Sequence, residues 1–472
     1  MTHAKQIQED NHEITKTENP LGTQPVGKLL ITFSVPAIIS CLINSIYNIV
    51  DQIFIGQGIG YLGNAATTVA FPIMTLLLAF GTLIGSGSSA YAAIRLGEKK
   101  DDEAEKTLNN AFIFTILISI VLMAAGLIFL RPILKVFGAT ETVMPYAVDY
   151  TSIILLGTPF NMVSIVLSNL ARTDGHPRLS MYGMLIGAGL NTILDPIYIF
   201  VFHWGVKGAA VATITSQIIS AIILSVYFIR SSRKPLHMKI RRKQMRLKGK
   251  LIGSFLTLGI SSGITQSVAC IMQVVMNNSL VYYGDKSPIG GDVALSAMGI
   301  VMKIAMIMGA FGIGVGIGAQ PILGYNRGAG KYRRIKETYI WAAAAATVLI
   351  FLGWIVCQTK PEAIIGLFGK ENQEFTDFAV RCLRTYLFSI FCAGFQIVST
   401  NYFQATGQPL KASLLSMLRQ LLLLIPLILI LPLFMGLNGI LYSAPVADVA
   451  SAVIVALFII PEMRKLNNQI KK

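Results

Sequence analysis

Charge is scarce in this chain. Of its 472 residues only 13% are Asp, Glu, Lys or Arg, where a soluble chain carries roughly 25%. That excludes an ordinary water-soluble domain. Alternating ten-residue apolar strands are lacking, which excludes a transmembrane β-barrel. The five cysteines, Cys41, Cys270, Cys357, Cys382 and Cys392, form no CxxC pair. They read as packing residues and exclude a disulfide or metal framework. The histidines His3, His12, His176, His203 and His237 all fall in tails or loops. With none at membrane depth to act as base, an intramembrane enzyme is disfavoured. Residues 1–27 are polar, carry no cleavable signal peptide, and read as a disordered tail.

Apolar residues are abundant instead. They make up 54% of the chain, in runs of about 20 residues that can each cross a bilayer. The expected fold is an all-α polytopic membrane protein of twelve helices. These begin near Leu29, Gly63, Leu108, Met144, Leu179, Val206, Leu251, Val293, Thr338, Phe375, Leu410 and Leu437. The net charge of +16 would suggest nucleic acid in a soluble protein. Here the bases cluster in short loops, so the expected partner is the lipid bilayer and not nucleic acid. Arg230–Lys250 holds ten Lys or Arg and no acid, which makes it cytoplasmic by the positive-inside rule. Six helices precede it and six follow, so both termini are expected in the cytoplasm. The divisions are a tail at 1–27, a first lobe at 28–230, a basic linker at 231–250, a second lobe at 251–461 and a tail at 462–472.

The halves are repeats. Gly85–Gly97 (GSGSSAYAAIRLG) matches Gly316–Gly328 (GIGAQPILGYNRG) at an offset of 231. The same offset carries Phe137-Gly138 onto Phe368-Gly369 and Gly205–Gly208 onto Gly436–Gly439. An offset of 232 carries Gly175–Pro177 onto Gly407–Pro409. An even helix number gives both halves one orientation, hence a parallel repeat with a site between the lobes.

Against this background the buried charges stand out, because a charge in a membrane helix costs roughly 2.5–3.5 kcal/mol or more. Asp51 shares a helical face with Asn44 and Asn48 by i, i+4, i+7 spacing. Asp195 pairs with Asn191 at i, i+4 and is followed by Pro196, which disturbs the helix and frees backbone carbonyls. Thr213, Ser216 and Gln217 form a polar set on the sixth helix. Helical rise brings Asp51, Asp195 and Thr213 to similar depth in the outer half of the first repeat. Two carboxylates, an amide and a hydroxyl suit a small cation or shared protons. Two nearby carboxylates also resist joint ionisation unless a cation intervenes. The repeat carries Asp195 onto Pro426 and Asp51 near Val275, so the second half lacks both acids. It offers Gln266, Gln273 and Asn277 instead, which with Asn48 are candidates for a substrate cavity between the lobes. Lys303 either lines the same space or snorkels as a structural lysine. Methionines 272, 276, 298, 302, 306 and 308 suit core filling or an adaptable cavity.

Two further charges lie near mid-membrane. Arg419 is roughly 14 Å from the inner face and Asp448 roughly 16 Å from the outer one. Their depths nearly coincide in a core of roughly 30 Å. They are expected to pair and fasten helix 11 to helix 12, a structural role; Asp448 as a second protonation site is the alternative. Gly259–Gly263 fits GxSxG, but no strand precedes it. The glycine run 312–318 is not followed by GK[ST] and reads as close helix packing.

These residues resemble the multidrug and toxic compound extrusion (MATE) family along nearly the whole chain. The resemblance rests on Val50–Gly56 (VDQIFIG), Asn191-x-x-x-Asp195-Pro196, Gly205–Thr213 (GVKGAAVAT), Ala171–Pro177 (ARTDGHP) and Gln404–Pro409 (QATGQP). It implies two six-helix lobes in a V, exporting small-molecule drugs against H⁺ or Na⁺ by alternating access, with no cofactor. It also implies a multi-pass protein of the plasma (inner) membrane, read here as a monomer. The family's cation site carries over onto Asp51, Asn191, Asp195 and Thr213. One branch also uses acids in the second lobe; helix 7 has none, and helix 10 only Asp377 near its outer end. A lipid-linked oligosaccharide flippase of the same wider superfamily is the alternative, although no cationic cluster for pyrophosphate is visible at depth.

Overall fold

The computed structural model describes residues 19–59, 61–230, 238–367 and 373–471, all helix and connection, with no strand among them. Eleven of the described helices are long and apolar enough to cross a membrane. The first half comprises α1 (Val26–Ile59), α2 (Tyr61–Gly97), α3 (Asp101–Ile128), α4 (Met144–Thr173), α5 (Pro177–Pro196, continued by a π-helical Ile197–Val201) and α6 (Gly205–Arg230). The second comprises α7 (Gly249–Asp285), α8 (Gly291–Gly328), α9 (Tyr332–Thr359), α10 in two pieces (Gln373–Tyr386 and Cys392–Ala405), α11 (Pro409–Met435, π-helical over Leu418–Leu424) and α12 (Leu437–Lys471).

The expected tenth span is therefore interrupted. No proline breaks it. Between its pieces the backbone tightens to i→i−3 hydrogen bonds, Phe388 N to Thr385 O, Ile390 N to Leu387 O and Cys392 N to Ser389 O. Each piece has 14 residues, too few to span alone; together they make the twelfth membrane segment.

Small residues explain how the halves meet. Lipid gives apolar helices little reason to associate, so close packing does the work. Two of the tightest approaches lie at the end that carries the basic loops. A methyl group on Gly97 would sit 1.9 Å from the Tyr325 carbonyl oxygen, and one on Gly328 1.9 Å from that of Ile94. Both pairs are related by the 231 offset, so α2 and α8 cross as repeat mates. Gly259 of α7 lies against the Leu83 carbonyl of α2 (1.8 Å to an added methyl), and Gly318 of α8 against Ser34 of α1 (2.6 Å). A polar node seals the crossing: Gln404 Nε2 donates to Leu258 O (2.9 Å), Ser86 Oγ (3.0 Å) and Ser262 Oγ (3.1 Å).

The expected disordered tail needs a correction, and the other two segments gain structure. Residues 19–27 are not a disordered tail. Asn19 caps a turn at Pro20–Thr23, Leu21 is buried, Asn326 Nδ2 donates to Leu21 O (3.0 Å) and Lys331 Nζ to Gly22 O (2.9 Å). One apolar anchor and the donors of α8 and α9 order a polar segment. The C-terminal tail expected from 462 is helical through Lys471, because Leu466 is buried and Lys336 Nζ holds Asn467 Oδ1 (2.7 Å). The linker is strapped to the first lobe over 238–248. Met238 N donates to Asp174 Oδ1 (3.2 Å), Arg241 N to Asn109 Oδ1 (2.8 Å) and Lys248 N to Asn110 Oδ1 (2.8 Å). The remaining parts of those segments, 1–18, 231–237 and 472, and the repeat match at Phe368-Gly369, lie outside the described residues.

Candidate cation site

α5 and α6 are joined by a three-residue turn, so they run antiparallel as neighbours. That sets Asp195, near the end of α5, beside Thr213, two turns into α6. Asn191 Nδ2 joins them, donating to Asp195 Oδ1 (3.3 Å) and to Thr213 Oγ1 (3.2 Å). All three are buried, Asp195 completely. α1 packs on α5 and turns Asp51 inward, so the two carboxyls face each other within interaction range. The local backbone favours this placement: after Pro196 the helix widens, Phe202 N reaching back to Ile197 O (3.0 Å). π-segments of this kind recur at functional sites.

The oxygens of the site are short of donors. Asp51 Oδ1, Asp195 Oδ2 and Asn191 Oδ1 are all buried without a hydrogen-bond partner. Unpartnered buried acceptors are costly, and three together share one remedy, a positive charge. Two facing carboxyls have the same need, since they cannot both ionise in a dry site with nothing between them.

Two tyrosines complete the site that spacing alone did not single out. Tyr47, one helical turn before Asp51, lies beside Asp51, Asp195 and Thr213. Tyr150 of α4 lies beside Asp51, Asp195 and Tyr47. The i, i+4 relation of Tyr47 to Asp51 was available as a signal; nothing local marks Tyr150. Asn44 and Asn48, expected on the Asp51 face, stay exposed, and Asn48 Nδ2 is used by Asn44 O (2.6 Å). The larger ring takes the inward place and leaves the amides toward the open side. Gln217 reaches toward Gly157 and keeps Oε1 unpartnered.

Gln266, Gln273 and Asn277 on α7 are half-buried, with Gln273 Nε2 donating to Asn277 Oδ1 (3.0 Å). Lys303 of α8 is half-buried too, with no ion pair to the described residues. Met272, Met276, Met298 and Met308 are buried in the second-lobe core, while Met306 is exposed. Near Pro426, where the repeat places the Asp195 position, Leu424 and Ile428 are buried. Arg419 Nε donates to Asp448 Oδ1 at 2.6 Å, tying α11 to α12.

The MatE family model matches residues 36–197 and 257–458, most of the chain. The multidrug export protein MepA of Staphylococcus haemolyticus is 28% identical over 443 residues, covering 93% of this chain and 94% of that one. MepA of Staphylococcus aureus is 27% identical over 435 residues, covering 92% and 94%. Among solved structures, the MATE multidrug transporter DinF-BH is 31% identical with a TM-score of 0.86, over 95% of this chain and 98% of that one. An outward-facing MATE family multidrug resistance transporter shares the fold at a TM-score of 0.89 and 20% identity, over 97% and 100%. The twelve helices, the internal repeat and the matches over nearly all its length make this chain a member of the MatE family.

Proposed function

We propose that this protein exports cationic and amphipathic drugs across the plasma membrane in exchange for an inward cation, H⁺ or Na⁺, bound at Asp51, Asn191, Asp195 and Thr213. One observation carries the reading: three buried acceptor oxygens without donors, on two facing carboxyls and on the amide that joins Asp195 to Thr213. A sodium ion takes hard oxygen ligands of this kind; a proton shared between the carboxyls answers the same need. Tyr47 and Tyr150 narrow the access of water and hold the carboxyls in place. The relatives named as multidrug export proteins support the substrate class.

In this reading the basic loops face the cytoplasm with both termini, and one chain suffices, since it carries both lobes. Substrate binds between the lobes against Asn48, Gln266, Gln273, Asn277 and Lys303. Filling the first-lobe site changes the charge that α1 and α5 share, and so shifts the balance between inward- and outward-open states.

The test is reconstitution in liposomes with a Na⁺ gradient and a pH gradient imposed separately, following a cationic dye. One gradient is expected to drive transport of the dye by wild type, and neither by Asp195→Asn. Transport by wild type without either gradient, or equal gradient-driven transport by Asp195→Asn, would sink the coupling assignment.

A further inference from the structure

Arg419 stands in the π-helical stretch of α11, and its contacts leave most of its donors free. A guanidinium carries five N–H donors in a rigid fork. Among the described residues only Nε has a hydrogen-bond acceptor, Asp448; neither terminal nitrogen has one. Arg419 stands near Asp448 of α12 and near Tyr386 and Cys392, at the adjoining ends of the two α10 pieces. Yet 31% of its side-chain surface stays open, against 2% for Asp448. An ionisable group at membrane depth characteristically turns its open surface to a water-filled cavity or the bundle interior and not to lipid.

The surroundings point the same way. The two residues that face the pair, Tyr386 and Cys392, bracket the stretch where α10 tightens. α11 widens just past Arg419, Ile425 N reaching back to Gln420 O. Irregular backbone persists at membrane depth where protein encloses it or a wet cavity adjoins it, and interrupted helices mark transporter binding sites. Two amide oxygens on the same elements are buried and unpartnered, Gln396 Oε1 on the second α10 piece and Gln420 Oε1, on the residue after Arg419. Gln396 is 5% exposed and pinned by its Nε2 to the Asp448 carbonyl (2.8 Å). A purely structural ion pair accounts for Asp448. It leaves the open fork and the two idle acceptors without a purpose.

We propose that Arg419 is the anion-recognising residue of a substrate subsite in the second lobe, taking an amphipathic molecule that carries a free carboxylate beside a hydrogen-bond donor. The carboxylate meets the two terminal nitrogens of the fork, as planar guanidinium and carboxylate groups do. The ligand's N–H or O–H meets Gln396 and Gln420. Asp448 orients the fork through Nε and balances its charge when the subsite is empty. This assignment deepens the export reading and rests on it.

The experiment compares rhodamine B, whose benzoate is free, with its ethyl ester, which keeps the scaffold and loses the carboxylate. The full chain is purified into phosphatidylcholine nanodiscs and titrated by fluorescence anisotropy. Arg419→Gln is expected to weaken rhodamine B at least about tenfold more than it weakens the ester. Arg419→Lys recovers only part, because an ammonium lacks the fork. Should Arg419→Gln alone unfold, the Arg419→Gln/Asp448→Asn protein leaves no stranded charge and must show the same loss of discrimination. Equal weakening of acid and ester, or wild type binding the ester but not the acid, overturns the subsite. Displacement of rhodamine B by phosphatidylglycerol added to the nanodiscs assigns the fork to a lipid headgroup and overturns it as well. Wild type that neither binds nor expels either dye overturns the export reading itself.

Discussion

The two lobes share a frame and differ in what they bury. In the first, α1, α5 and α6 enclose two facing carboxyls, with Asn191 between Asp195 and Thr213. In the second, the repeat carries Asp195 onto Pro426, near buried Leu424 and Ile428, and the charge at depth is an arginine held by Asp448. Both lobes carry a π-segment in their fifth helix, and both meet through matching glycines. The frame is thus made by small residues and helix ends, and it stands without the acids. The first-lobe acids are therefore not a requirement of the frame that the two lobes share.

The sharpest way to break this comparison is to neutralise the acids. Asp51→Asn and Asp195→Asn should each reduce gradient-driven efflux from whole cells to background while the purified proteins melt close to wild type. Normal dye efflux at normal expression in either variant would make the first-lobe carboxyls structural after all.

Next in size is the second-lobe pair. Arg419→Ala strands a buried carboxylate and should cost about 3–5 kcal/mol of stability in detergent. Asp448→Ala should cost less, because the guanidinium it leaves behind keeps an open face for water. The double variant should lose less than the sum of the singles. Thermal unfolding of the four proteins measures all three relations. Strictly additive losses would refute the coupling.

The shared frame can be sharpened by its glycines. Gly97→Ala and Gly328→Ala each drive a methyl into a backbone carbonyl that cannot swing away. Each should disfavour the crossing of α2 over α8 by about 1–3 kcal/mol, and the two should agree within error, being repeat mates. Accessibility of an engineered cysteine at Ser86 reads the opening. A large effect in one and none in the other would mean that the crossing is not symmetric.

The smallest expected effect lies at the corner before each fifth helix. In the second lobe Gln408 Nε2 holds Glu462 of α12 (2.8 Å). In the first the equivalent residue is His176, beside Asp174, which also takes Tyr227 of α6 and the strapped linker. Hydrogen bonding to Asp174 raises the His176 pKa above its usual value. A raised folded-state value means stabilisation that is present below about pH 6.5 and lost as pH rises through the folded value. His176 is partly solvated, so the swing should stay under about 1 kcal/mol. His176→Gln, which copies the second lobe, should flatten melting temperature against pH across that interval; an unchanged slope would exclude His176 as its source.

Sequence alone determined the spans, the repeat and the positions of the expensive charges. These are local or additive properties: transfer cost accrues residue by residue, and helical rise converts residue number into depth, so Asp51, Asp195 and Thr213 came to one level and Arg419 to that of Asp448. Facing and partnership were another matter. Periodicity put Asn48 and Tyr47 on neighbouring faces of α1, and only the packing of α1 on α5 turned the ring inward and the amide out. Tyr150 enters the site from a helix whose own pattern marks nothing there. Composition made residues 19–27 look disordered, yet one buried leucine and donors from α8 and α9, some three hundred positions away in the chain, hold them. The open fork of Arg419 was likewise beyond reach, since it depends on how α10 tightens and α11 widens around it. Such features belong to close approaches between distant segments, whose distances no local pattern encodes.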